Sequence, residues 1–432
     1  MIEITPVQKV NAAVSVPGSK YIANRVLLMA ALADGISTIQ NVPDNDDINQ
    51  VILVLQQLGI KIEKKDHSTL LIRGRKGKFQ PASKALQVKD SGTLLRFLTA
   101  LSSLIPGKTT ITGSTRIQER PIKDLLNSLQ DLGIQCKASA DGYPPVEIQG
   151  GTFLGGTTTI SGSVSSQYVS ALLLAAPYAK KNVTINLQSE LVSKNYVDMT
   201  ITLMKHFGVQ VLQKEKMLVI ESGQTYQAGE FTIPADWSSA SYFLAAAAMV
   251  PGKVTIQEVD FNLQQGEAKF INLLEKMGCK VLRGKDWISV EGTGKLTAID
   301  VNMNTMPDVV QTLAVVAACA DRTTKITGIG HLKYKECDRI KKTAQELRKL
   351  GVKVTATNDE LHIAGSNMLK PAAIETHHDH RMAMSLALLG LKIPGIKIKN
   401  PEVVEKSFPD YWEKLRELGV KIIGSDNIIL IG

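Results

Sequence analysis

The chain has 432 residues, 44% hydrophobic and 21% charged, with a net charge of +9 and four cysteines. Its length predicts roughly two to four domains, and its composition is that of a folded protein with ordinary cores. The basic balance asks for an anionic partner, while aromatics at only 5% are too sparse for base-stacking platforms, which argues against nucleic acid.

Cys136, Cys279, Cys319 and Cys337 lie far apart with no metal-ligand spacing, which predicts free thiols in a reducing compartment. No basic-plus-apolar leader opens the chain. Its most apolar stretch, 243–251, is shorter than the roughly 20 residues needed to cross a bilayer. A cytoplasmic protein without membrane contact is expected. The dense basic run Arg73-Gly74-Arg75-Lys76-Gly77-Lys78 carries no aromatic and is expected to form an exposed turn.

In chain order, the first organised stretch is Pro17-Gly18-Ser19-Lys20 with Asn24-Arg25, followed by the apolar run from Val26 to Leu32. A turn, small polar and basic residues and then an uncharged run read as a helix start aimed at an anion. Free N–H groups and the positive end of the helix dipole sit there, and Lys20 and Arg25 add charge.

Beyond it the chain repeats. Gly59, Gly133, Gly208, Gly278, Gly351 and Gly419 each follow a helical pattern, precede a short alternating strand, and fall 68 to 75 residues apart. Each fits the position just past a helix end, where glycine tolerates a left-handed backbone. Each copy also holds a nearly all-apolar helix (26–33, 94–104, 169–176, 240–249, 309–320 and 382–389), a short strand and an amphipathic helix such as 340–350. Helices apolar all round belong inside a shell of sheet. Six βαβαβ-like units exceed one core, which stops growing near about 250–300 residues. The economical arrangement is two domains of three units. Crossovers are expected near Pro17-Gly18 and at Pro234, with residues 1–17 supplying a strand to the C-terminal half. Units packed about threefold axes would put the helix N-termini on one face of each domain.

Polar residues precede each apolar helix: Ser19/Lys20/Arg25, Asp90-Ser91-Gly92-Thr93 with Arg96, Ser165-Ser166-Gln167, Asp236 with Ser238-Ser239, Asp308, and Asp379-His380-Arg381. Helix capping accounts for Ser238-Ser239. It does not require Lys20, Arg25, Arg96 or Arg381. The loops before the amphipathic helices add Arg116 and Arg120, Ser193-Lys194 and Tyr196, Lys335-Glu336 with Arg339, and Lys406 with Asp410. So many guanidinium forks suit a substrate carrying both carboxylate and phosphate. Asp308 and Glu336 among cations would stay ionised and accept protons, or serve as ion-pair scaffolding; spacing leaves both open. No phosphate-binding or dinucleotide glycine pattern occurs. His377-His378-Asp379-His380 is consecutive, so its side chains cannot converge on one ion, and no metal is expected.

Pro17-Gly18-Ser19-Lys20…Asn24-Arg25, Ser91-Gly92-Thr93…Arg96, Glu119-Arg120-Pro121, Ser165-Ser166-Gln167, Leu191-Val192-Ser193-Lys194, Pro307-Asp308, Lys335-Glu336…Asp338-Arg339, Asp379-His380-Arg381-Met382-Ala383 and Lys406-Ser407-Phe408-Pro409-Asp410 together carry a resemblance over the whole chain. It is similar to the 5-enolpyruvylshikimate-3-phosphate synthases of the enolpyruvyl transferase family. The resemblance implies an α/β (α+β) fold of two similar lobes, each of three βαβαββ repeats around buried helices. A two-stranded hinge would join them, with 18–233 as one lobe and 1–17 plus 234–432 as the other, closing on substrate. It implies transfer of the enolpyruvyl group of phosphoenolpyruvate to the 5-hydroxyl of shikimate 3-phosphate, with no cofactor or metal, by a monomer. By resemblance Lys20, Tyr21, Arg25, Ser165, Ser166, Ser193, Asp308, His331 and Lys335 hold shikimate 3-phosphate. Lys20, Gly92, Arg120, Gln167, Arg339, Arg381 and Lys406 hold phosphoenolpyruvate. Asp308, Glu336 and Lys20 carry the proton transfers.

Tyr21 and Ala23 stand where the family usually has small hydroxyl residues, and Asp90 and His331 where it usually has Asn. A sister enzyme acting on UDP-N-acetylglucosamine has Asn after the lead lysine and a Cys in the loop here spanning 116–120; this chain has neither. A non-catalytic basic repeat protein that binds an anionic polymer is the rival of another class. It predicts steep salt dependence and no need for Asp308 or Glu336.

Overall fold

A computed structural model describes residues 1–424 other than 140–141, 163–164 and 264. It divides into two compact units, Gly18–Ile233 and Met1–Pro17 with the chain from Pro234 on. Among the described residues each unit holds three four-stranded sheets.

All six sheets follow one scheme. The strand after each apolar helix pairs in parallel with one neighbour and antiparallel with another, which adds a fourth strand antiparallel. In the 18–233 unit Asp34–Gln40 lies parallel to Glu230–Thr232 and antiparallel to Leu70–Arg75, which pairs with Lys61–Lys64. Gly107–Thr112 and Val183–Leu187 occupy the same place in the other two sheets. In the second unit Gly252–Gln257 lies parallel to Val10–Val14, and Ile396–Ile398 pairs antiparallel with Ile2–Ile4. Residues 1–17 therefore supply two strands to that unit. Part of the basic run forecast as a turn, 73–75, is strand; Lys76–Gly77 make the turn.

The apolar helices are the cores. Every residue of Lys20–Leu32 and Trp237–Met249 is buried. Gly92–Leu101, Ser166–Ala175, Val310–Ala318 and His380–Ala387 are nearly or wholly so. The first helix starts six residues before the forecast 26, taking Lys20, Asn24 and Arg25 into the interior. Asn24 Nδ2 donates to Lys20 O at 2.8 Å and Arg25 Nη1 to Tyr21 O at 2.8 Å, so both find backbone acceptors inside. Ser238 and Ser239 prove not to cap their helix. Asp236 does, accepting from both of their N–H groups.

The six glycines all take positive φ, between 82° and 103°. The strands open later than the alternation forecast, as at Leu212–Lys214 against 209–211. The residue after the glycine belongs to the helix cap instead: the N–H of Ile60 bonds Leu55 O and that of Gly59 bonds Gln56 O, and Ile134, Val209, Cys279 and Val352 repeat the first bond. This is the paired backbone motif that closes a helix at a left-handed glycine. Among the described residues no helix is long and apolar enough to cross a membrane.

Candidate active site

In the 18–233 unit the first residue of helix Lys20–Leu32 places its ammonium 2.9 Å from Asp47 Oδ2, both side chains about nine-tenths buried. Asp47 sits in the first turn of Asp46–Gln57, which Asn45 caps. Nothing in the sequence set it apart from an acidic helix start, and it was missed. Arg25, forecast to face phosphate, is 1% exposed. Its Nε donates to Thr200 Oγ1 at 2.7 Å and Nη2 to Tyr196 O at 3.2 Å, between the rings of Phe97 and Tyr196. Burial pushes it down to about 10. Its contacts join two helices. Tyr21 packs on Tyr196 with ring centroids 5.0 Å apart.

Helices Gly92–Leu101 and Ser166–Ala175 bring a second group together. Ser165 caps the latter by accepting from Gln167 N–H, with Ser166 as its first residue, and Gln167 Nε2 donates to Thr93 Oγ1 at 3.1 Å. Arg120 is buried and lies so close over Gly92 that a Cβ there would collide with its Nη1. Arg96, forecast as functional, donates to the carbonyls of Gly92 and Pro121. Ser193 is buried in a left-handed turn, φ 54°, just before Asn195–His206. This group offers buried cations, a helix start and hydroxyls, the equipment for an anion.

In the other unit Arg339 opens helix Arg339–Lys349 and is buried among three carboxylates. Its Nη1 donates to Asp308 Oδ1 at 2.7 Å, Nη2 to Glu336 Oε2 at 2.8 Å, and Nε to Asp379 Oδ2 at 2.7 Å. Burial alone would lower its pKa, but the three carboxylates raise it well above the ordinary value. Arg381 Nε lies 3.5 Å from Asp308 Oδ1 and Lys406 Nζ 3.5 Å from Glu336 Oε1. Arg381 Nη1 also donates to the Tyr242 hydroxyl at 2.9 Å. Tyr242 lies inside an apolar run and gave no sign of this role. Lys335 follows the turn Gly330–Tyr334 that carries His331. Burial and Lys335 push His331 down to about 4, so its ring is neutral near pH 7.

Two carboxylates held beside several cations can accept protons while the cations meet growing negative charge. Each group has the equipment of an enzyme that works on anions, and the second adds candidate proton acceptors. The model of one family, EPSP synthase (3-phosphoshikimate 1-carboxyvinyltransferase), matches residues 4–415. A Trichormus variabilis protein named 3-phosphoshikimate 1-carboxyvinyltransferase is 44% identical over 408 residues, 94% of this chain and 96% of that one. One of the same name from Shewanella pealeana is 40% identical over 422 residues, 96% and 99%. The solved EPSP synthase structure from Acinetobacter baumannii superposes with a TM-score of 0.83 at 26% identity, covering 98% and 99%. The chain belongs to the EPSP synthase family. Neither rival from the sequence is favoured by these matches.

Proposed function

We infer that the chain transfers the enolpyruvyl group of phosphoenolpyruvate to the 5-hydroxyl of shikimate 3-phosphate, releasing phosphate. The observation that carries the reading beyond family membership is the convergence of Asp308, Glu336 and Asp379 on one buried guanidinium, with Arg381 and Lys406 beside them.

In the first step the 5-hydroxyl oxygen bonds to C2 of phosphoenolpyruvate and its proton passes to Asp308. The C3 methylene becomes a methyl group with one proton, given up by the Lys20 ammonium and passed on through the Glu336 carboxylate. In the second step the bond from C2 to the phosphate oxygen breaks, Glu336 takes a proton back from the methyl group to restore the double bond, and phosphate leaves with the proton that Asp308 held. Arg120, Gln167, Arg339, Arg381 and Lys406, with the backbone at Gly92, are assigned to phosphoenolpyruvate. Tyr21, Arg25, Ser165, Ser166, Ser193, His331 and Lys335 are assigned to shikimate 3-phosphate. Fixed cations around the tetrahedral intermediate supply the preorganised electrostatics that usually dominate catalysis.

Domains are assigned as 18–233 and 1–17 plus 234–432. The enzyme is placed in the cytoplasm as a monomer; four free thiols agree with a reducing compartment.

Phosphate release from phosphoenolpyruvate, measured with and without shikimate 3-phosphate, tests the reading. Release should need both substrates and collapse in Glu336→Gln and Asp308→Asn while phosphoenolpyruvate still binds. No release with shikimate 3-phosphate present overturns it.

A further inference from the structure

Helix Arg339–Lys349 buries a stripe of Arg339, Ile340, Thr343, Ala344, Glu346 and Leu347. Two charged residues on a core-facing stripe ask for an explanation, and only Arg339 belongs to the reaction site. Glu346 is fully buried. Its Oε1 accepts from His377 Nε2 at 2.8 Å, its Oε2 accepts from Glu375 N–H at 3.0 Å, and Lys349 Nζ lies 2.6 Å from the same oxygen. A buried carboxylate persists only when paired and hydrogen-bonded. Apart from Lys349 of its own helix, these partners come from 375–377, the stretch leading into Asp379.

That stretch is unusual in its backbone too. His377 and His378 have φ of 52° and 56°, two consecutive left-handed residues with side chains. Such a conformation is disfavoured for both and lasts only where the surroundings impose it. Asp379 follows immediately. It caps helix His380–Ala387 by accepting Arg381 N–H at 2.9 Å, and it grips Arg339 through both oxygens.

We propose that Glu346 and His377 form a positioning pair that imposes this double left-handed turn, and so sets Asp379 on Arg339 and aims Arg381. The inference rests on the reading above, in which Arg339 and Arg381 meet phosphoenolpyruvate. Neither member of the pair touches substrate. Without it the turn relaxes toward ordinary backbone, Asp379 loses its fixed place, and both guanidinium groups must be ordered by the substrate itself.

His377→Phe keeps the ring volume and removes the pairing. It should raise KM for phosphoenolpyruvate by about tenfold while KM for shikimate 3-phosphate moves less than about twofold. Glu346→Gln should act in the same direction, and the double variant should be no worse than His377→Phe alone, as for residues acting as one unit. His377→Gln, whose carboxamide N–H reaches toward Glu346, should restore most of the loss. Amide hydrogen exchange gives a readout independent of turnover: the Arg381 N–H should exchange about tenfold faster in His377→Phe. If wild-type protein releases no phosphate, the functional reading falls, and exchange at Arg381 still decides the pair. Unchanged exchange at Arg381 overturns the proposal. So does an equal rise in both KM values without rescue by His377→Gln. Should His377→Phe fail to fold, Glu346→Gln carries both measurements.

Discussion

His331→Asn is the most direct test of the electrostatics in the second unit. The imidazole is pushed down to about 4 by burial and by Lys335, against the pull of Asp308 and Asp359. Its ordinary value is 6.5. Above that value neither the folded nor the unfolded chain protonates it, and it leaves stability unchanged. As pH falls through 6.5 the unfolded chain takes a proton that the folded chain refuses until about pH 4, so stability is lost progressively across that window. Each pKa unit is worth about 1.4 kcal/mol, which makes the full loss about 3 kcal/mol and the part realised at pH 5 about 2 kcal/mol. Asn is neutral throughout and removes the dependence. Urea unfolding of wild type and His331→Asn at pH 7.5 and pH 5 should therefore show the gap between them moving by about 2 kcal/mol in the variant's favour on acidification. An imidazole titration followed by NMR should place the His331 midpoint far below those of exposed histidines. A gap that stays flat between the two pH values would refute the argument, because the ring would then be titrating near its ordinary value.

Arg339→Leu leaves the buried Asp308 and Asp379 and the partly exposed Glu336 without the guanidinium they share and should cost about 3–5 kcal/mol in urea unfolding at pH 7.5. In Gly92→Ala the new Cβ meets flexible guanidinium tips of Arg120 and Arg96 rather than backbone. The protein should fold, and a displaced Arg120 should raise KM for phosphoenolpyruvate at least about tenfold in steady-state kinetics, with little effect on shikimate 3-phosphate. Gly419→Ala isolates backbone cost, since φ is +83° and nothing lies within 4 Å of the added carbon. It should lose about 1–2 kcal/mol of stability, and Gly59→Ala, where the Gln80 side chain also crowds the carbon, should lose more.

The repeat was legible because its signal is local. A left-handed glycine, a helix apolar all round and an alternating strand each follow from a few neighbouring residues, and six copies reinforce one another. Strand starts were misplaced where a second local structure competed: Ile60 looks like the first strand residue, but its N–H closes the preceding helix. The catalytic and binding candidates were legible as types, since a basic residue at a helix start does no capping. Their partners were not. Which acid meets Lys20, and which hydroxyl meets Arg381, depends on contacts between segments far apart in sequence. Asp47 and Tyr242 therefore looked like a helix-start acid and a core aromatic. The surroundings of Arg25 were illegible for the same reason: its guanidinium is buried against Thr200 and Tyr196, on a helix far away in sequence.

Bond lengths in the second unit separate cations that the sequence left equivalent. Arg339 is tied at 2.7–2.8 Å to all three carboxylates, whereas Arg381 and Lys406 stand 3.5 Å from theirs. An arriving phosphate or carboxylate that recruited Arg339 would compete with three short charge-assisted bonds, each stronger than a neutral one. The carboxylate contact disturbed by recruiting Arg381 or Lys406 is longer, at 3.5 Å, although Arg381 also donates to the Tyr242 hydroxyl at 2.9 Å. On the proposed assignments Arg339 would hold Asp308 and Glu336 in place, and Arg381 and Lys406 would be the first of the phosphoenolpyruvate cations to turn toward the substrate. The order of sensitivity follows: Lys406→Ala and Arg381→Ala should weaken phosphoenolpyruvate binding in calorimetry while leaving the unfolding transition nearly in place, and Arg339→Leu should shift both together. Equal stability losses in all three variants would contradict that division of labour.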